Sequence, residues 1–260
     1  MGEDGLGRQI EGLLLVRRSK GRFRRPFFVV MTDKSSSHFF GRRKGKPLRA
    51  RQALLVDSLL PRVRITPAEA RAAGSHASPY RDTWLEIGFG GGEHLVCDAI
   101  LHPDVRFIGC EPFVNGVAKL VTAIADKRIA NVLIYDGDAL EMLKQLPAES
   151  LGRITILYPD PWPKFRQRKR RIVSLESITE MARALRSGGE VHFATDIDDY
   201  SGWTLQRFLV SGDFEWTAKE SADWKRPWSD WPGTRYEAKA IREGRTPAYL
   251  TFVRKQRDPV

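Results

Sequence analysis

The sequence predicts an α/β protein with a doubly wound, mostly parallel sheet and a basic N-terminal extension. Three observations carry that expectation. From residue 82 onward, short apolar runs alternate with helical segments. A glycine turn, Gly88-Phe-Gly-Gly-Gly92, follows the first run, and Glu111, Asp138 and Asp160 stand at the ends of later ones. The chain has 260 residues, 42% hydrophobic, which suits one large domain with an extension better than two equal domains.

Taken in order, residues 1–47 are rich in Gly, Ser and Arg, hold no lasting period, and read as a flexible basic arm. Arg49–Leu60 is helical in pattern: Leu55/Leu59 and Val56/Leu60 form i,i+4 pairs, and Pro61 follows. Residues 48–80 thus form a helix and a proline- and alanine-rich connector, leaving 81–260 as the main domain. Its strand candidates are Thr83–Ile87, Arg106–Cys110, Asn131–Tyr135, Ile154–Leu157 and Glu190–Ala194. Helical segments 92–101, 115–127, 139–146 and 174–186 lie between them. Short, wholly apolar strands separated by helices indicate a parallel sheet covered on both faces. Tyr249–Arg254 is a further β-rich run, and 224–236 is a Trp- and Pro-rich loop.

Charge narrows the function. Residues 1–80 hold 17 Lys+Arg against 6 Asp+Glu, whereas residues 81–260 hold 26 of each, so the whole net charge of +11 sits in the first segment. Such an arm suits a polyanionic partner, either nucleic acid or an anionic membrane surface; a solubilising tail is the alternative. No apolar run approaches the ~20 residues that span a bilayer. Leu13–Val16 is too short for a signal-peptide core of roughly 7–15 residues. Cys97 and Cys110 cannot supply a disulfide framework or a Cys-rich zinc site, and the histidines lack metal-ligand spacing. A cytoplasmic protein without a metal is the expectation.

The candidate site residues follow the strand ends. A dinucleotide fingerprint starting at Gly88 requires glycine at 93, where Glu93 stands. The turn is instead G-x-G-x-G, with Gly88, Gly90 and Gly92, and Glu86 two residues ahead suits a cationic ligand group. Glu111 has the place of an acidic residue that accepts from ribose hydroxyls. Asp138 either caps the next helix or meets an adenine amino group, and the two roles are compatible. Asp160, in Pro-Asp-Pro-Trp-Pro, is expected at the switch point of the sheet. Six of the eight residues from Lys164 to Arg171 are basic, which would put phosphate contacts beside it. Ala194-Thr-Asp196 and Gly233-Thr-Arg-Tyr-Glu237 offer side chains for a base edge or a phosphate.

These motifs together resemble the TrmB family, the bacterial tRNA (guanine-46-N7)-methyltransferases. The resemblance rests on Glu86-Ile-Gly-Phe-Gly-Gly-Gly92, Gly-Cys-Glu111, Asp138-Ala, Pro-Asp160-Pro-Trp-Pro-Lys164, Ala-Thr-Asp196 and Thr234-Arg-Tyr-Glu237, and spans roughly residues 38–255. It implies a Rossmann-like class I methyltransferase that uses S-adenosylmethionine (SAM) and acts on tRNA, as a monomer or a homodimer. It further implies SAM contacts at Glu86, Glu111, Asp138 and Asp160, and tRNA contacts at Lys164, Asp196, Thr234, Arg235, Tyr236 and Glu237. Asp160 is the expected catalytic group. Guanine N7 carries a lone pair and no proton, so transfer needs positioning and a nearby negative group.

Three rivals stand beside this reading. Glu93 disfavours an NAD-dependent oxidoreductase. An amino-methyltransferase acting on another RNA base would carry a double proline after its acidic residue, where this chain has Pro-Trp-Pro. A non-catalytic tRNA-binding protein would need the arm but not Glu86, Glu111 and Asp138 together. Residues 1–30 fall outside the resemblance; they are either an extra basic arm or an extension upstream of a start at Met31.

Overall fold

The computed structural model describes residues 40–73 and 79–257. Residues 1–39, most of the expected arm, and the Met31 question therefore lie outside the described residues. Three helices come first: α1 (Ala50–Ser58), α2 (Leu60–Val63) and α3 (Pro67–Ala73). Pro61 does not end the helical run as expected; it sits in the first turn of α2, where its missing N–H costs nothing. The connector also holds α3, which no apolar period announces.

The chain then runs β1 (Asp82–Ile87), α4 (Glu93–Leu101), β2 (Val105–Cys110), α5 (Val114–Lys127), β3 (Val132–Tyr135), α6 (Ala139–Gln145) and β4 (Leu151–Leu157). A 3-10 helix (Phe165–Arg170) leads to α7 (Leu175–Ala184), β5 (Leu185–Thr195), α8 (Asp198–Ser211), β6 (Phe214–Trp216), α9 (Arg235–Arg242) and β7 (Ala248–Arg254). The seven strands are ordered β3-β2-β1-β4-β5-β7-β6. β1 to β5 pair in parallel and β7 lies antiparallel to β5 and β6. The doubly wound expectation therefore holds. The expected strand at Glu190 begins earlier, at Leu185, with a register shift against β4. Helices α8 and α9 and strand β6 have no counterpart among the sequence-based expectations.

Alternation along β1 divides the core. Leu85 and Ile87 face the side covered by α6, α7 and α8, with Ile108, Ile154, Ile156 and Phe193. Trp84 faces the other side, under α1, α4 and α5, with Phe107, Leu95, Leu120 and Val121. That second face turns polar toward β5, because Trp84 pairs with Arg153, Glu86 with Thr155, and these with Glu190 and His192. Trp228 covers the polar strip, stacking on His192 at 4.5 Å and donating to Thr251 Oγ1 at 2.8 Å. At the β3 margin of the sheet, Arg64 bridges Ile134 and the Ile65 N–H donates to its carbonyl at 2.9 Å.

Candidate active site

The chain leaves β1 toward β2 on one side, and β4 lies on the other. Beyond the carboxyl ends of these strands, at the switch point, is a cleft of about 410 Å³. That is within the range of small-molecule sites, roughly 300–1,000 Å³. Four successive strand ends reach it: Gly88 and Gly90 after β1, Glu111 after β2, Asp138 after β3 and Asp160 after β4. Arg235 and Tyr236 of α9 and residues Phe40–Arg42 complete its rim.

Each strand end has a local reason for its shape. Gly88 has φ +72° and a Cβ there would meet nothing within 4 Å, so its dihedral and not crowding demands glycine. Gly92 differs from the expectation of a ligand contact. It is a left-handed cap on α4 that does not line the cleft, and a Cβ would fall 2.8 Å from Leu120 Cδ1. Glu111 accepts from the Gly90 N–H at 2.8 Å and the Phe113 N–H at 2.9 Å. Burial pushes its carboxyl pKa up, the two backbone bonds oppose this, and the nearby Asp160 adds to the rise. The carboxylate thus fastens the glycine turn to the end of β2, with acceptor capacity left over. Asp138 caps α6, accepting from the Leu140 N–H at 3.0 Å, and also lines the cleft.

Asp160 is exposed at the cleft between Pro159 and Pro161. Beyond the prolines, Tyr158 (φ 48°) and Trp162 (φ 41°) both adopt left-handed backbone, which is costly for bulky side chains. Arg171 helps hold this shape from below. Its buried guanidinium donates Nε–H to the Pro161 carbonyl at 2.8 Å and pairs with Asp199 at 2.5 Å. Arg168 also pairs with Asp199, at 2.7 Å. The basic run is therefore not uniformly a phosphate-binding face. Arg168 and Arg171 are used internally, whereas Lys164, Arg166 and Lys169 are exposed. Lys164 sits at the start of the 3-10 helix and does not line the cleft.

Several expected site residues lie elsewhere. Glu86 shares the Trp84 face of β1, is buried outside the cleft lining, and shares a hydrogen bond with His94 Nδ1 across 2.8 Å. Period-two alternation turns it away from a ligand at the strand end. Asp196 is held by Arg245 Nε at 2.5 Å and is also outside the lining. Thr234 and Glu237 form the capping box of α9. The buried Glu237 carboxylate further accepts from Trp231 Nε1 at 2.7 Å and from the Tyr249 hydroxyl. Of this motif, Arg235 and Tyr236 alone line the cleft.

Sequence reasoning gave Gly116 and Tyr158 no role, and it read residues 40–42 as part of a flexible basic arm for tRNA, not as lining of the cleft. A Cβ on Gly116 would lie 2.2 Å from the Gly90 carbonyl oxygen, so α5 approaches the glycine turn through a residue without a side chain. A T-x-x-E pattern is itself a capping signal and could have revealed α9. Nothing local announces the work of Arg171, whose partner Asp199 comes 28 residues later.

Residues 81–250 match the family model described as "Putative methyltransferase". The tRNA (guanine-N(7)-)-methyltransferase of Chelativorans sp. (strain BNC1) is 51% identical over 225 residues, covering 85% of this chain and 97% of its own length. The chain belongs to the tRNA (guanine-N(7)-)-methyltransferase family. The family's member from Agrobacterium fabrum is 48% identical, with 86% of this chain and 97% of that protein covered. Among solved structures, the aminoglycoside resistance methyltransferase NpmB1 aligns with TM-score 0.51 and 19% identity, covering 74% of this chain and 94% of that one. The 16S rRNA methyltransferase KamB aligns with TM-score 0.51 and 17% identity, over 74% and 95%. These two likenesses show that the family's fold is shared with other methyltransferases. Among the described residues, no group of His, Cys, Asp and Glu is placed to hold a metal, and no helix is long and apolar enough to cross a membrane.

Proposed function

We propose that this protein transfers the methyl group of SAM to N7 of guanine 46 in the variable loop of tRNA. The observation that carries the reading is the convergence of Gly88, Glu111, Asp138 and Asp160 on one cleft, in a chain half identical to tRNA (guanine-N(7)-)-methyltransferases. The donor set fits SAM. Glu111 has acceptor capacity for ribose hydroxyls, Asp138 for the adenine amino group, and the open backbone at Gly88 leaves room for a ligand to pass close. When bound, SAM supplies an electrophilic methyl group on a positively charged sulfur. The N7 lone pair needs no deprotonation before attack, so no general base is required. Positive charge develops on the guanine instead, and in this reading the Asp160 carboxylate, exposed in the cleft lining, offsets that charge. Arg235, Tyr236 and the exposed Lys164, Arg166 and Lys169 supply the adjoining contacts to base and phosphates. A reaction on tRNA puts the protein in the cytoplasm.

The test is transfer of labelled methyl from SAM to an unmodified tRNA transcript, followed by mapping of the modified base. N7-methylguanosine at position 46 is expected. Asp160→Ala should lower kcat by at least about a hundredfold, the scale of losing one electrostatic group in a transition state, while tRNA affinity changes little. Methylation of an exocyclic amino group, or near-normal turnover of Asp160→Ala, would overturn the assignment.

A further inference from the structure

We infer that Asn115 is a positioning residue for tRNA, whose side-chain amide fastens the basic segment 41–46 along the rim of the cleft. The inference rests on the proposed tRNA reaction and deepens it. Asn115 lies in the first turn of α5, which has no side-chain cap of its own. Its Oδ1 accepts from the Gly45 N–H at 2.8 Å, and its Nδ2 donates to the Lys46 carbonyl at 2.7 Å. One residue earlier, the Val114 N–H donates to the Arg43 carbonyl at 2.9 Å. Three bonds from one helix start thus hold residues 43–46. The amide meets one donor and one acceptor, so a flipped or non-amide side chain would lose the match.

The segment is shaped for this approach. A Cβ on Gly45 would fall 2.7 Å from Asn115 Oδ1 and 2.9 Å from Phe113 Cζ. Upstream, Phe40, Gly41 and Arg42 line the cleft, and the Arg170 guanidinium lies 4.8 Å from the Phe40 ring and 4.9 Å from that of Trp162. The segment therefore runs from the start of α5 to the loop that carries Asp160. Arg42, Arg43, Lys44 and Lys46 are exposed along it. A loose polybasic tail attracts phosphates without fixing their place, whereas a fastened one sets the register of the nucleic acid over the site. Asn is also a poorer helix former than Ala, so α5 itself gives no reason for it.

The test uses the full chain and an unmodified tRNA transcript, with steady-state methylation, direct tRNA binding, and calorimetric SAM binding without tRNA. Asn115→Ala should raise the KM and Kd for tRNA about tenfold, equivalent to about 1.4 kcal/mol. Its kcat at saturating tRNA should stay within about twofold, and its SAM affinity within about threefold. Asn115→Asp keeps the acceptor and loses the donor, and should fall between. Gly45→Ala should act in the same direction, and the double variant Asn115→Ala/Gly45→Ala should be no worse than the worse single one, because both break the same attachment. An unchanged tRNA Kd in Asn115→Ala, a loss confined to kcat or to SAM affinity, or additive effects would each overturn the inference. The two proposals fail separately. If the wild-type chain binds tRNA but transfers no methyl to guanine, the reaction falls, while a tenfold loss of tRNA binding in Asn115→Ala still supports the fastening.

Discussion

Glu86 and His94 are both more than nine-tenths buried, with Asp98 3.7 Å from the far imidazole nitrogen. Burial alone pushes the His94 pKa down, but the Glu86 carboxylate, helped by Asp98, outweighs it and raises the value above 6.5. The folded state then holds this proton more tightly than the unfolded state. Its stabilising contribution is fully present below pH 6.5 and is lost as pH rises through the folded value. His192, on β5 beneath Trp228, has the opposite sign: burial lowers its pKa, so protonation opposes folding as pH falls below 6.5. A whole-protein pH profile would mix the two, and His94→Gln separates them. In urea unfolding, the wild-type advantage over His94→Gln should be larger at pH 6 than at pH 9. An advantage independent of pH would show that folding leaves the His94 pKa unshifted, and one larger at pH 9 would show that His94 folds uncharged.

The approach of α5 to the glycine turn gives a prediction of its own. Gly116→Ala puts a methyl group 2.2 Å from a backbone oxygen, and neither the helix nor the turn can give way by rotating a side chain. Overpacking of this kind typically costs about 1–3 kcal/mol, and the movable partner is the turn that Glu111 holds. SAM affinity should therefore fall by about tenfold or more, measured by calorimetry, and an unchanged affinity would show that α5 moves instead. The same element explains what the sequence could and could not disclose. The five parallel strands were legible because each is a short apolar run that must be buried on both faces. Glu111, Asp138 and Asp160 were legible because strand ends in such sheets gather at one crevice. Gly116 was not, since a glycine inside a helical pattern does not say which backbone it must admit. Helix α8 was obscured because Gly202 interrupts the run and the polar Thr204 shares its buried face with Tyr200, Leu205 and Phe208. The protein partners of Glu86 and Glu237 were hidden for a related reason: a carboxylate in a motif looks alike whether it meets a ligand or a buried His, Trp or Tyr.

Across the whole molecule, charge is divided between a neutral body and a basic first segment, and residues 40–42 of that segment line the cleft. Replacing Arg42, Arg43, Lys44 and Lys46 by Ala should weaken tRNA binding and flatten its dependence on salt. Removing one phosphate neutralisation should reduce the slope of log affinity against log salt by roughly 0.7–0.9. An unchanged slope in a filter-binding titration would leave the segment as a solubilising tail. The edges of the sheet matter at this scale as well. β3 is an outer strand, and the chain after α2 lays Arg64 and Ile65 along it. At the other margin, β6 is three residues long. A row of unpaired backbone groups on an outer strand is a template for another chain to add to, and both margins are blunted here. The short link between α2 and α3 is thus a guard against self-association through strand addition, a liability that a protein crowding polyanions onto its surface would otherwise carry into every complex it forms.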